Sequence, residues 1–517
     1  MKLLYNKFMM EKQLFFRMNI IIILSFAALY LGAAELKIVD TAGCNLDIVG
    51  KAEPSTYSLK SKSHAQNWFS AVFEGVDTSI PTTFTLNMDN TGNAQYPGNV
   101  SKWVGLYPVY SYARYWDYNN FVYYIKNADG YWVSSDMFAS EILAGNGKTP
   151  IQTVIPEELA EEFLSEDGGY WSPWQEIEET KALIGTNTFT LTKQFNSSVA
   201  AIAMRVPYTY DYEYQYMRKL QAADIDGVTV HNIGTSNSAS RQHLYAVEVS
   251  DPKSSEEELE NRRVVLMYAN EDGDEPDGCW VVNGAMNYLI RGLQENDAEV
   301  QTILAEATFL FIPLLDPAGW RTGSFAELAY SFYAEQRTEI DSIRKEVLSY
   351  ATFISSWCGD KNRHLDIACS MHSIECAEGP NVIIPFADSW TSETYILDEL
   401  INNILIEVQE YKTAGDMGWR YYFQHQRFSG WCRSRWGSIP LLSEINSRYP
   451  AQRLNMYDME KLGERYVKGF YNFFFTEEYE RALPQLARSH EYQTTARNEF
   501  LAENKTKGVM DILQRGY

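Results

Sequence analysis

An apolar run of strand length, Val264-Val265-Leu266-Met267-Tyr268-Ala269, breaks off into Asn270-Glu271-Asp272-Gly273-Asp274-Glu275. Carboxylates this dense can hold a hard cation, or accept backbone N–H groups at the start of a helix. A helical apolar pattern follows at once through Trp280, Val281, Ala285, Met286, Leu289, Ile290 and Leu293. Strand, acidic loop and helix in that order set charged side chains at the carboxyl edge of a sheet, where open α/β folds build their sites. Two readings of the loop stand side by side. Either it carries chemistry, or Asp272 and Asp274 are turn residues that cap the helix.

The elements that must position this loop divide the chain in two. From about residue 36 to 205 the pattern is β. Strand-length runs occur at 68–73, 83–88, 121–125 and 188–192, separated by Asn-, Gly- and Pro-rich turns, which predicts an all-β sandwich. An acidic, glycine-containing piece from Gly145 to Glu179 reads as an insertion on one face. Beyond Pro207-Tyr208-Thr209-Tyr210, strands at 244–249, 264–268 and 309–312 alternate with helical stretches at 280–293 and 340–354. That alternation predicts an α/β domain with a mixed or parallel sheet. The acidic run from Ser254 to Glu260 reads as a solvated helix start. The expected division is a leader over 1–34, a β-sandwich over 35–206 and the α/β domain over 207–517.

Composition narrows the partners. The 517 residues are 45% hydrophobic and 22% charged, a globular balance, and the formal net charge is −24. Such an excess of acid argues against nucleic acid, whose phosphates need a basic face. Lys2, Lys7, Lys12 and Arg17 precede an apolar run from Ile20 to Leu31 and then Gly32-Ala33-Ala34. This has the layout of a cleaved signal peptide, so a secreted or periplasmic protein is expected. The rival reading, an uncleaved anchor, has a run short of the roughly 20 residues a bilayer needs. No second stretch is long enough to span a membrane. The six cysteines show no metal-ribbon spacing, leaving disulfides and lone buried thiols both open. The aromatic runs 107–124 and 208–216 fit either glycan stacking or strand and junction packing.

Several segments together resemble the zinc carboxypeptidases, in the branch that carries a β-sandwich ahead of its catalytic domain. In the first half these are Asn67-Trp68-Phe69-Ser70, Tyr107-Pro108-Val109 and Val206-Pro207-Tyr208-Thr209-Tyr210. In the second they are Ile233-Gly234-Thr235-Ser236 with Ser240-Arg241, and Pro313-Leu314-Leu315-Asp316-Pro317-Ala318-Gly319. The last is Leu441-Leu442-Ser443-Glu444-Ile445-Asn446, followed by Asp458 and Leu462-Gly463. Each is weak singly, but their order over most of the chain is specific. The resemblance implies a mixed-sheet carboxypeptidase-type domain that hydrolyses peptide bonds at a free carboxyl end. Peptides or cell-wall peptides are the substrates it suggests.

The family holds Zn²⁺ with two histidines and a glutamate, and a separate glutamate handles the proton. Carried onto this chain, the first ligand pair falls on Asp272 and Glu275, with aspartate where the family has histidine. The remaining ligand falls on Ala368 in one alignment and on His372 in another. Glu444 matches the general base. Neither Arg321 nor Arg337 sits in the context of the family's carboxylate-binding arginine. Asp272, Glu275 and His372 form an admissible zinc set, but with two negative charges in place of one, which damps the metal's Lewis acidity. The competing reading is a non-catalytic protein that keeps the cleft to bind a peptide or glycan. Its site would hold no metal, or calcium with Asp274 and Asp277 as further oxygen donors.

Overall fold

The computed structural model describes residues 35–39, 46–61, 69–87, 109–112, 124–126, 132–134, 175–182, 188–236, 241–317, 319, 344–373, 381–385, 394–415, 427–447 and 453–482, apart from positions 54, 178–179, 274, 318, 361–362 and 412. The leader, most of the Gly145 to Glu179 piece, most of the 107–124 aromatic run, Arg321 and Arg337 lie outside these residues. So do Cys44 and Cys376.

The leading half forms two five-stranded sheets. One contains Ser70–Glu74 and Val199–Ala203; the other contains Thr56–Ser61, Thr82–Asn87 and Thr188–Lys193. Alternation along these strands sends Phe73, Ala200 and Ile202 from the first sheet, and Leu59, Phe84, Leu86 and Leu191 from the second, into one shared core. Phe73 stacks on Phe84 with ring centroids 4.6 Å apart. One expectation shifts. Of the run predicted at 121–125, residues 121–123 lie outside the described residues, and Tyr124–Lys126 pairs with Trp132–Ser134 in a separate two-stranded sheet.

The second half is an eight-stranded mixed sheet with helices on both faces. Its strands in chain order are β1 (Val228–Thr235), β2 (His243–Val249), β3 (Arg263–Ala269), β4 (Ala307–Ile312), β5 (Ile367–Ser373), β6 (Asn381–Pro385), β7 (Thr413–Gly415) and β8 (Ile439–Ile445). Across the sheet they run β1-β2-β4-β3-β5-β8-β6-β7. The central four, β4, β3, β5 and β8, are mutually parallel, so their carboxyl ends share one edge. These central strands are buried on both faces, which is why they read as near-continuous apolar runs.

The helices are α1 (Tyr210–Ala223), α2 (Asp277–Glu295), α3 (Ala298–Glu306), α4 (Lys345–Asp360), α5 (Thr394–Glu407), α6 (Phe428–Trp436) and α7 (Met456–Phe473). The acidic run is a short helix, Glu256–Glu260, closed by a Ser255–Glu258 capping box and carrying three acids in its first turn. Among the described residues no helix is long and apolar enough to cross a membrane. Helices α2 and α7 cross so tightly that a Cβ on Gly463 would lie 2.0 Å from the Val281 carbonyl oxygen. That contact accounts for the glycine in the Leu462-Gly463 pair. Cys279, Cys358 and Cys369 are buried free thiols, so for these three the unbridged reading holds.

One buried acid sits under the seam between the halves. Glu213 of α1 accepts a hydrogen bond from the Leu314 backbone, and Tyr208, Cys279 and Tyr350 feel its charge. Burial holds its carboxyl well above the usual carboxylate range. A raised folded value means its stability contribution is complete below the unfolded carboxylate range and is lost as pH rises towards the folded value. Glu213→Gln should therefore match the native protein near pH 4 and exceed it near pH 8 by about 1–3 kcal/mol. Urea midpoints at the two pH values measure this. A gap that does not widen with pH would refute it.

Candidate metal centre

Strand β3 ends in a sharp turn. Asn270 takes the left-handed conformation (φ 63°), which asparagine tolerates better than most residues, and the chain then presents Glu271 and Asp272 in succession. The Leu315 N–H donates to the Ala269 carbonyl and ties this turn to the loop after β4. Helix α2 begins at Asp277, and no side chain caps its N-terminus. The helix-capping account of Asp272 is therefore set aside; Asp274 lies outside the described residues.

Strand β5 supplies the histidine. Its register sets Met371 opposite Ala269 of β3 and His372 opposite Glu444 of β8. His372 thus stands at the carboxyl edge, in the row shared by the acidic turn and Glu444. Ala368 lies four residues back, packed in the apolar cluster with Leu266, Phe428 and Trp436. Of the two alignments, only the one using His372 brings a donor to the carboxylates. Close packing enforces the position: a Cβ on Gly278, in the first turn of α2, would lie 2.4 Å from the Met371 carbonyl oxygen.

Three side chains converge. Donor atoms of Asp272, Glu275 and His372 all lie within 4.8 Å of one another, and all three residues are buried. His372 Nδ1 is 2.7 Å from Glu275 Oε2 and 3.2 Å from Asp272 Oδ2. The Ser373 N–H donates to Glu275 Oε2 at 3.0 Å and fixes that carboxylate. Burial alone would push the His372 imidazole down, but Glu275, Asp272 and Glu271 together hold it well above the ordinary histidine value. Glu444 is half-buried, yet its Oε2 is shut off from solvent and has no hydrogen-bond partner. Burial first, then the nearby Glu275, push its carboxyl up to about 8, against the pull of His372 and Arg427.

Two residues of the centre went unforeseen. Glu271 is buried beneath the histidine, with Oε2 3.4 Å from His372 Nε2. It also accepts from Ser370 Oγ and from the Phe428 N–H. Arg427 precedes α6 and brings its guanidinium to 3.5 Å from Asp272 Oδ2 and 3.6 Å from Glu271 Oε2. Nothing in the spacing marked either one. Glu271 was one acid among several in its loop, and Arg427 is 155 residues from Asp272 along the chain.

Asp277 is placed otherwise than the calcium reading required. Its carboxylate forms a fully buried ion pair with Arg205, at the exit of the β-sandwich, and accepts from the Ser447 N–H just beyond β8. Its own N–H donates to Ser373 Oγ at the end of β5. One residue thereby joins the helix after Glu275, the strand carrying His372 and the turn after Glu444, through its backbone N–H to the strand and through its carboxylate to the turn. Trp280 Nε1 donates to the Val206 carbonyl and its ring packs edge-on against Tyr208, so the 208–216 aromatics serve junction packing rather than an open platform at those positions. His231 and His243 have ordinary local partners in Glu248 and Asn232.

Residues 213–326 match the sequence profile of a family described as zinc carboxypeptidase. No curated protein matches the chain. Among solved structures, a metallo-carboxypeptidase from Burkholderia cenocepacia superposes with a TM-score of 0.58 at 16% identity, over 85% of this chain and 99% of its own. A metallo-carboxypeptidase from Pseudomonas aeruginosa, in complex with (2-guanidinoethylmercapto)succinic acid, superposes with a TM-score of 0.55 at 14% identity, over 87% of this chain and 100% of its own. At such identities the likeness is one of fold.

Breaking the Arg205–Asp277 pair should be costly, because it leaves a buried charge alone. Arg205→Met is expected to lower the unfolding free energy by about 3–5 kcal/mol. Urea unfolding measures the loss, and a midpoint like the native one would show that the pair holds nothing together.

Proposed function

Because the chain carries a domain of the zinc carboxypeptidase family, we propose that it is a metal-dependent peptidase cleaving residues from the free carboxyl end of peptides. The observation that carries this reading is the meeting of His372 Nδ1 with two buried carboxylates, one strand away from an unpartnered Glu444 oxygen. Asp272, Glu275 and His372 would hold the ion. Their donor set fits zinc better than calcium, since Ca²⁺ takes oxygen ligands and His372 offers nitrogen. Zinc, when bound, supplies polarisation of the scissile carbonyl and a water acidic enough to attack at neutral pH.

The chain's own residues divide the rest of the work. Glu271 and Arg427 both sit at the far ring nitrogen of His372, so Nδ1 is the nitrogen that faces Asp272 and Glu275, where the ion would sit. Glu444 takes the proton of the attacking water at Oε2 and returns it to the leaving amine. The shelter of the site strengthens these charge interactions, because little water screens them. Export through the Ile20 to Leu31 leader belongs to the same proposal, with extracytoplasmic or cell-wall peptides as substrates.

A second reading has one specific observation behind it. The Arg427 guanidinium and the His372 imidazole, which its acids push towards the charged form, offset two of the three charges of Glu271, Asp272 and Glu275 without an ion. On that basis the cleft would bind a peptide or glycan without cleaving it.

Metal analysis separates the two. The peptidase should carry one zinc per chain, and His372→Ala should lose it. Glu444→Gln should keep the zinc while turnover of a peptide with a free carboxyl end falls about 10²- to 10⁴-fold. The ligand held by the Pseudomonas aeruginosa protein, (2-guanidinoethylmercapto)succinic acid, should raise the melting temperature of the zinc-loaded form by mass action. Protein free of zinc, inert towards peptides, yet stabilised by them would favour the binding reading.

A further inference from the structure

The departure at Asp272 has a consequence in charge. Two imidazoles and a carboxylate give a ligand set one negative charge; Asp272, Glu275 and His372 give two. A second carboxylate on the ion binds it more tightly but makes it a poorer Lewis acid. The structure holds a counterweight at that very side chain. Arg427 Nη1 is 3.5 Å from Asp272 Oδ2, 3.6 Å from Glu271 Oε2 and 3.2 Å from His372 Nε2, and the arginine side chain is only 9% exposed.

The guanidinium is held there by the helix it precedes. The Phe428 N–H donates to Glu271, the Ser429 N–H donates to the Tyr268 hydroxyl at 2.8 Å, and the Phe428 ring packs edge-on against Tyr268. The start of α6 is therefore seated against the end of β3, the strand that delivers Asp272. A surface arginine in contact with a carboxylate would contribute little. At this depth screening is weak, and one positive charge beside the ligand set changes what the ion experiences.

We infer that Arg427 is a charge-compensating residue, and that Asp272 and Arg427 act as a unit in place of a neutral ligand, offsetting the second carboxylate of the ligand set. The inference rests on the reading that the centre holds zinc. It explains how an aspartate can stand at this position without leaving the ion overloaded with negative charge. It also gives Arg427 a role distinct from gripping substrate.

Chelator competition on the full-length protein tests this without relying on turnover. Arg427→Met should bind zinc about 10- to 100-fold more tightly than the native protein, the scale on which residues behind metal ligands act. That sign is informative, because a damaged scaffold would loosen the metal. Arg427→Lys, which keeps the charge, should stay within about threefold of native. Asp272→Asn should weaken zinc, and Asp272→Asn combined with Arg427→Met should fall between the two singles, close to native. Should the methionine variant fail to fold, Arg427→Gln keeps a donor towards Glu271 and is expected to tighten zinc likewise. Zinc bound by the native protein but no tighter, or looser, in the Arg427 variants overturns this inference alone. Zinc bound by none of the proteins overturns the peptidase proposal together with it.

Discussion

The buried contact between Arg205 and Asp277 is the constraint on which the arrangement of the site depends. A carboxylate at the first turn of α2 is favourable for the helix, but buried and alone it would be costly. Arg205 neutralises it from the exit of the β-sandwich, the carboxylate also accepts from the Ser447 N–H, and the Asp277 backbone N–H donates to Ser373 Oγ. The helix after Glu275, the end of β5 and the turn beyond β8 are thereby drawn to a single point. Three separate stretches of chain acquire one geometry because they meet at one residue.

The rest of the positioning is topological. Parallel strands end together, so β3, β5 and β8 deliver their next residues to the same edge whatever those residues are. Into that edge the chain puts a histidine among carboxylates, with little water to screen them. Each titration there is set by its neighbours: the acids push the imidazole up, and burial with Glu275 pushes the Glu444 carboxyl up. Such a cluster is under electrostatic stress, which a bound cation or an inserted guanidinium can relieve.

Much of this was legible in the residues themselves. Apolar runs of strand length marked β2, β3 and β4, and the abrupt acids after Ala269 marked the sheet edge where Asp272, Glu275 and His372 meet. The choice between Ala368 and His372 was not legible, because it depends on where β5 ends, and the run Ile367-Ala368-Cys369-Ser370-Met371-His372-Ser373 contains no breaker. Asp277 looked like a spare oxygen donor because its partner, Arg205, precedes it by 72 residues and belongs to no motif. Arg427 and Glu271 escaped notice for the same reason. Long-range pairing leaves no periodicity to read, whereas strands and helices do.

Three of the described thiols have a consequence for the life of the chain. Cys279, Cys358 and Cys369 are enclosed in apolar surroundings, and none is bridged. Burial keeps Cys279, Cys358 and Cys369 strongly protonated, so they resist the thiolate chemistry that oxidants exploit. The α/β core around them is held by apolar packing, hydrogen bonds and the buried Arg205–Asp277 pair, with no cross-link from these thiols. For these thiols the folded surroundings are the same whether the compartment oxidises or reduces sulfur.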